Sequence, residues 1–133
     1  MREIEFRGKR SDNGEWVYGN YVKTVLGKRI FNRGIFYHII PETIGQYTGC
    51  KDTAKDESKI YEHDILSYYC MDCGKRHETI VQWYKSGFVV TVCGESQYAK
   101  LDWLFESDYV RDPVVIGNAS AVQAGIVMIS GYD

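Results

Sequence analysis

The residues with the clearest capacity for chemistry lie in one short stretch, CMDCGKRH, at residues 70–77. Cys70, Cys73 and His77 are of the residue types that bind Zn²⁺ most often in proteins. A structural zinc needs four ligands in a tetrahedral array, and Cys93, at the end of a following predicted strand, is the fourth ligand that this region offers. A second zinc knuckle would normally add two closely spaced ligands, whereas this region adds one.

Three interpretations of this stretch stay open: a zinc site, a redox pair, or a polar turn with two reduced thiols. A redox CxxC pair normally begins a helix, which stabilises the thiolate, whereas this pair lies between predicted strands. The missing second pair of ligands favours the polar turn over zinc. The sequence therefore assigns no metal ligand, no cofactor and no catalytic residue. It also predicts that the double change Cys70→Ser and Cys73→Ser leaves the fold intact.

The other polar residues form no recognisable catalytic motif. His38, His63 and His77 occur in different parts of the chain, and none has the spacing of a zinc protease or of a Cys/His pair. Glu62 and Asp64 flank His63, but residues two apart in a strand simply share a face and are usually solvated. The 13 glycines form neither GxxxxGK[ST] nor GxGxxG, so the common nucleotide sites are absent. We therefore predict a protein that is not an enzyme.

Composition and charge are those of an ordinary globular protein. The chain has 133 residues, of which 44% are hydrophobic and 26% charged. No apolar run approaches the roughly 20 residues that cross a bilayer, which predicts a cytoplasmic protein with reduced cysteines and no membrane partner. Residues 1–34 carry eight Lys/Arg and four Asp/Glu, and the remainder carries eight and fourteen, so the two parts have net charges of +4 and −6. Because the basic residues are scattered, nucleic acid is the less favoured partner.

Strand signals dominate the sequence. Aromatic and β-branched residues recur at spacing two, which puts Ile4 and Phe6 on one face of a first strand. The Asn13-Gly14 pair predicts a type I′ hairpin turn into a second strand. ETIVQWY, at residues 78–84, reads as one strand that alternates between two faces. One helical pattern of one or two turns occurs at residues 99–107.

These signals predict a mainly β protein with little helix. The polar segment at residues 50–59 separates an N-terminal β-hairpin unit, residues 1–57, from residues 58–118, whose short strands match the size of a small SH3-like β-barrel. Residues 114–116 read as the strand that closes the barrel. Residues 119–133 form a divergent tail. The aromatic residues of the predicted barrel are assigned to its core and to hairpin pairs rather than to base stacking: Tyr68, Tyr69, Trp83, Tyr84, Phe88 and Trp103.

Five blocks of the sequence resemble the YopX family of phage and prophage proteins. They are MREIEFRGKR, GEWVYGNYV, PETIGQYTG, KIYEHDIL and VVIGN, in that order over residues 1–118. The resemblance implies a bacteriophage or prophage product in the bacterial cytoplasm, of unknown biochemical role. DTAKDES replaces the family's usual Asn-Gly turn, which predicts a longer and looser turn. His63 replaces a usual Gly, which predicts strain at that position or a changed conformation.

The sequence thus predicts a phage or prophage accessory protein that acts as a non-enzymatic protein-interaction module. Its partner would be a host or phage protein, bound through an exposed sheet edge or aromatic patch. Self-association through a strand edge or through the apolar tail at residues 126–129 is a further expectation. The alternative is a nucleic-acid-binding β-barrel protein in which the basic N-terminal unit leads the contact.

Overall fold

The computed structural model describes residues 4–92 and 97–119 of the chain. Antiparallel β-strands account for most of these residues, which confirms the prediction of a mainly β fold. The described chain divides into two compact units, one of residues 4–47 and the other Thr48–Ala119. The sequence predicted a domain boundary between residues 57 and 58, and that boundary stays a prediction. The predicted tail, apart from Ala119, lies outside the described residues.

The first unit is a twisted antiparallel sheet made of consecutive hairpins. Its strands follow the order β4-β3-β2-β1-β5. A single turn of 3₁₀ helix at Pro41–Thr43 precedes β5, which continues into the second unit, where β6 lies beside it. The strands are β1 Phe6–Lys9, β2 Trp16–Thr24, β3 Gly27–Asn32, β4 Ile35–His38 and β5 Gly45–Lys51.

The predicted first hairpin forms, but its details differ from the prediction. β1 begins at Phe6, so Ile4 lies before the strand and is exposed. Gly14 has a positive φ of 72° and Asn13 does not, so the loop is not a type I′ turn. The Gly14 N–H donates to the Arg10 carbonyl at 2.9 Å and closes a longer loop. Two adjacent residues with positive φ, as a type I′ turn requires, occur instead at positions 33 and 34 between β3 and β4.

The second unit contains two three-stranded antiparallel sheets, with the orders β12-β7-β8 and β11-β10-β9. The described residues contain no closed barrel, so the SH3-like barrel is not confirmed. The predicted strand at residues 114–116 does form, within β12, where it pairs with β7 at the edge of a sheet. The elements are β6 Lys59–Tyr61, β7 Asp64–Cys70, β8 Lys75–Ile80, β9 Gln82–Tyr84, β10 Gly87–Thr91, β11 Tyr98–Lys100, α1 Trp103–Glu106 and β12 Val110–Asn118.

The core of the second unit is one cluster of nine buried hydrophobic residues. β7 contributes Leu66 and Tyr68, and β10 contributes Phe88 and Val90 from the positions that face the same side of each strand. The short helix α1, which the sequence predicted, adds Leu104 to this cluster. No helix within the described part of the chain has the length and hydrophobicity to cross a membrane. The full cluster is Ile60, Leu66, Tyr68, Val81, Phe88, Val90, Leu101, Leu104 and Val110.

The segment that follows β5 is longer than an Asn-Gly turn, as predicted, but it is not loose. Asp52 is 5% exposed, and its carboxylate accepts the N–H groups of Ala54 and Ser58 at 3.2 and 2.9 Å. The other carboxylate oxygen accepts the Val115 N–H from β12 at 3.0 Å. One buried side chain therefore fixes both ends of the segment and attaches it to a strand 63 residues away.

Candidate functional site

The β7–β8 hairpin brings together three residues that sequence analysis singled out. Cys70 ends β7 and His77 is the third residue of β8. Antiparallel pairing places Lys75 opposite Cys70, so His77, two positions along β8, lies on the same face as Cys70. In the turn, Gly74 has a φ of 69° and its N–H donates to the Cys70 carbonyl at 2.9 Å. This tight turn directs Cys73 back towards the two strands.

The ligand atoms of this cluster lie within 4.8 Å of one another. Cys70 is buried, Cys73 is exposed and His77 is half-buried, so the cluster extends from the interior to the surface. The Cys73 Sγ and the His77 Nε2 are 3.0 Å apart. We name Cys70, Cys73 and His77 the thiol–imidazole cluster.

The environment of Cys73 favours its neutral thiol in the absence of a metal. Its pKa is raised above the ordinary cysteine value, chiefly by its hydrogen bond with the Cys70 thiol and then by partial desolvation. The backbone N–H groups of Lys75 and of Cys73 itself act in the opposite direction. A raised pKa lowers the fraction of thiolate, which is the nucleophilic form and the metal-binding form of cysteine.

Two soft sulfur ligands and one imidazole suit Zn²⁺ and do not suit Mg²⁺ or Ca²⁺, which prefer oxygen. Cys93, the fourth ligand considered from the sequence, lies outside the described residues. The sequence-based assignment of no metal stays a prediction, because the geometry brings the side chains together without testing occupancy. The burial of Cys70 is the feature that sequence reasoning could not supply.

The carboxylates that flank His63 have different surroundings. Asp64 is 1% exposed, and its carboxylate accepts the Tyr61 N–H at 2.8 Å and the Asn118 amide at 3.0 Å. The Glu62 carboxylate lies 3.7 Å from the His63 ring nitrogen at a half-exposed position. Asp64 therefore stabilises the β6–β7 turn through its hydrogen bonds. The contacts of Glu62 and His63 are likewise of a structural kind.

The aromatic residues assigned to the core divide into two groups. Tyr68 and Phe88 are buried, and the Trp103 ring meets the Tyr68 ring edge to face at 6.1 Å, as expected of core residues. Trp83 and Tyr84 are 49% and 53% exposed and lie outside the core, but Trp83 forms a hairpin pair with Phe88 directly opposite it, with ring centroids 5.0 Å apart. Their strand, β9, is at the edge of its sheet, and all three of its residues are exposed.

A third exposed aromatic residue, which sequence analysis missed, extends this surface. Tyr98 of β11 is 56% exposed, and its ring stacks on that of Tyr84 with centroids 6.4 Å apart. The alternation of Tyr98 and Lys100 in a short strand was the available signal. The Lys85 ammonium lies 5.3 Å from the Tyr84 ring centroid. We name Trp83, Tyr84 and Tyr98 the aromatic edge.

A different surface in the first unit combines cations and aromatic rings. The Arg7 guanidinium lies 4.2 Å from the Trp16 ring centroid, and the Lys9 ammonium lies 5.2 Å from the same ring. Pairing of β1 with β2 places Lys9 opposite Trp16 and Arg7 opposite Tyr18, so these side chains share one sheet face. We name Arg7, Lys9, Trp16 and Tyr18 the cationic face.

Fold and site together define a small antiparallel β protein with a thiol–imidazole cluster at one hairpin tip and exposed aromatic residues at a sheet edge. The chain belongs to the YopX family, because the family model described as YopX protein matches residues 5–119. No curated protein and no solved structure matches the chain. This match confirms the resemblance of the sequence blocks to the YopX family. It assigns no chemical role to any residue of the chain.

Proposed function

We propose that the protein is a non-enzymatic accessory protein of a bacteriophage or prophage, which binds a host or phage protein in the bacterial cytoplasm. The phage origin and the cytoplasmic location are supported by the resemblance of the sequence blocks to YopX proteins. The observation that carries the binding role is the aromatic edge. Its three rings are each about half exposed, and aromatic residues are enriched among those that contribute most to protein–protein binding.

The aromatic edge fits an extended segment of the partner that pairs with β9. This strand pairs with β10 on one side, and the sheet order of the described residues gives it no neighbour on the other. A free strand edge offers backbone N–H and C=O groups to a partner strand, and side chains beside it give selectivity. The strands β9, β10 and β11 contain no Asp or Glu, Lys85 lies over the Tyr84 ring, and Lys100 is two residues from Tyr98 in β11. The preferred segment is therefore an acidic one.

The architecture proposed for the second unit is a partly open, SH3-like barrel. A single residue, Val81, separates β8 from β9. Its N–H donates to the Asp64 carbonyl of β7 and its carbonyl accepts the His63 N–H, whereas β9, directly after it, pairs with β10 of the other sheet. Strands that pass from one sheet to another through such a bend form the corners of orthogonal β sandwiches and barrels. Both sheets contribute to one hydrophobic core, which supports this architecture.

Partner capture with matched variants tests the binding role. The full chain is used to capture partners from phage-infected and uninfected bacteria, and each captured protein is then purified and titrated against the wild type and the double variant Trp83→Ala, Tyr84→Ala. We expect affinity to fall by a factor of about 30 or more, as for loss of an aromatic hot spot. Tyr109→Ala is the control, because Tyr109 is 62% exposed and lies outside this sheet.

An equal loss of affinity in the Tyr109 control, or no loss in the double variant, contradicts the proposal. Light scattering on the same samples distinguishes a foreign partner from self-association. The apolar tail at residues 126–129, from which self-association was also predicted, lies outside the described residues.

Nucleic-acid binding is the second candidate function, and the cationic face favours it. Single-stranded nucleic acids bind surfaces on which aromatic rings stack with bases and nearby cations contact phosphates. Retention of the protein on single-stranded DNA and RNA columns at rising salt tests this role. Loss of retention in the double variant Arg7→Ala, Lys9→Ala, with retention kept in Lys85→Ala, supports it. Absence of retention at low salt rejects it.

A further inference from the structure

We propose that Cys70, Cys73 and His77 bind one Zn²⁺ ion at the tip of the β7–β8 hairpin. A tetrahedral zinc with Zn–S and Zn–N distances of about 2.3 and 2.1 Å separates its ligand atoms by about 3.5–3.8 Å. The three ligand atoms of the cluster already lie within 4.8 Å of one another. Binding requires the 3.0 Å contact between Cys73 and His77 to lengthen by about half an ångström.

The hairpin orders two of the three ligands in the absence of a metal ion. Cys70 and His77 are fixed on one face by the antiparallel pairing of β7 with β8. The Arg76 side chain donates to the Ser67 hydroxyl at 2.8 Å and to the Asp112 carbonyl at 2.8 Å, which ties β8 to β7 and to β12. Little chain entropy is therefore lost on binding, because the strands that carry two of the ligands are already ordered.

Charge balance accounts for the burial of one ligand. Binding releases one proton from each thiol, and the two thiolates with a neutral imidazole then neutralise the Zn²⁺ charge. A lone thiolate at the Cys70 position, which is 1% exposed, would carry a high desolvation cost, whereas a neutral metal complex does not. The described residues supply three ligands, and a tetrahedral Zn²⁺ takes one more.

The metal closes the turn between the two strands and stabilises the hairpin. The site therefore differs from the polar turn favoured from the sequence, in which both thiols stay protonated. It is independent of the proposed partner binding, since the aromatic edge belongs to a different sheet. A chelator should consequently lower thermal stability without a requirement for any partner protein.

Cobalt titration of the full chain tests the proposal. The protein is stripped of metal, kept reduced with a phosphine, and titrated with Co²⁺, whose bonds to thiolate give a charge-transfer band in the near ultraviolet. We expect the band to saturate at one equivalent and to disappear when Zn²⁺ displaces the cobalt. Cys73→Ser should weaken binding more than about 100-fold, which exceeds the loss typical of a supporting residue behind a ligand. Cys50→Ser, which changes a cysteine outside the cluster, should bind as the wild type does.

Cys73 is exposed, so its replacement by serine leaves the core unchanged, and far-ultraviolet circular dichroism verifies the fold. His77→Ala should keep the thiolate band and weaken binding, which assigns the nitrogen ligand separately from the sulfur ligands. Absence of the charge-transfer band in the wild type overturns the proposal. Equal binding by Cys73→Ser and Cys50→Ser also overturns it, because the cluster would then not be the site.

Discussion

The two units of the molecule use the same kinds of residue in different ways. In the first unit, Trp16 lies on a sheet face under two cations, and the Asp12 carboxylate bonds to Arg10 at an exposed hairpin end. In the second unit, aromatic rings enter a nine-residue core, and Asp52 and Asp64 are almost wholly buried. The first unit also buries a few side chains, among them Ile30 and Thr43, but the nine-residue cluster lies in the second unit.

This difference indicates where each unit is sensitive to change. A buried aspartate that accepts backbone N–H groups leaves those donors unsatisfied when it is removed, whereas an exposed ion pair is replaced by water at little cost. Equivalent substitutions should therefore cost more in the second unit.

Truncation after Phe105 should abolish the fold of the second unit. It removes β12, which pairs with β7 along most of its length, and all residues of β7 except Tyr69 are buried. The sequence predicted that residues 114–116 close a barrel, whereas the structural reason for the loss is exposure of β7, the central strand of its sheet. Circular dichroism and size-exclusion chromatography measure the outcome, and Ile116→Ala, at an exposed position of β12, is the control. A folded, monomeric truncated chain would contradict this account.

Leu66→Ala should lower the free energy of unfolding by about 3–5 kcal/mol, and Ile30→Ala by about 2–3 kcal/mol. Both side chains are 0% exposed, but Leu66 lies in the nine-residue cluster and Ile30 does not. Urea denaturation followed by tryptophan fluorescence separates the two units. Trp16 reports on the first unit when the other two tryptophans are phenylalanine, and Trp83 and Trp103 report on the second in a Trp16→Phe background. Equal costs for the two alanine variants would remove the proposed difference between the units.

Asp52→Ala should lower the free energy of unfolding by about 1–3 kcal/mol, because it leaves three backbone N–H groups without their acceptor. Asp52→Asn should cost less, since one carbonyl oxygen remains. Asp56→Ala is the control, because Asp56 is an exposed residue of the same loop, where substitutions change stability by about 0.5 kcal/mol or less. Similar costs for the two alanine variants would show that burial of the Asp52 carboxylate is unimportant.

His63→Gly should raise the free energy of unfolding by about 0.5–1 kcal/mol. His63 has a φ of 76°, a conformation that costs a non-glycine residue energy and that glycine adopts freely. The contact with Glu62 that is lost is a half-exposed ion pair of small value. Glu62→Gly, at the preceding position without positive φ, should instead lower stability in the same denaturation assay. A less stable His63→Gly protein would mean that the strain is compensated at this turn.

Local patterns in the sequence predicted the first hairpin, though not its turn type, and the short helix. The resemblance to the family, which usually has Gly at position 63, pointed to strain or a changed conformation at His63. Spacing also identified three members of the thiol–imidazole cluster, because ligand types and loop length are properties of a single hairpin. Local patterns could not predict the role of Asp52, because its hydrogen bond with Val115 joins residues that are 63 positions apart. The exposure of Trp83 depends on which strands lie at the sheet edge, and strand order is likewise set by contacts between distant segments.

The predicted strand at residues 78–84 shows the same limit. Its alternation is real, because Thr79 and Val81 are both buried on the inner face. The backbone of Val81 still bonds to Asp64 of β7 and to His63, whereas residues 82–84 pair with β10, so the strand divides there into β8 and β9. Periodicity gives the direction of side chains along a strand, and it does not give the partner of each backbone group.

The smallest expected effect belongs to the exposed pair of Arg10 and Asp12. The hydrogen bond from Arg10, at 2.6 Å between Nη2 and Oδ2, lowers the pKa of the Asp12 carboxyl below its ordinary value. The stabilisation by this pair is therefore complete above the pKa of Asp12 in the unfolded chain, and it is lost as pH falls through the lower pKa of the folded state. Both groups are solvated, so the effect on stability should be smaller than that of any variant above. Carboxyl titration by NMR should show the Asp12 pKa rising in Arg10→Ala and unchanged in Lys23→Ala. An unchanged Asp12 pKa in Arg10→Ala would show that the pair does not persist in solution.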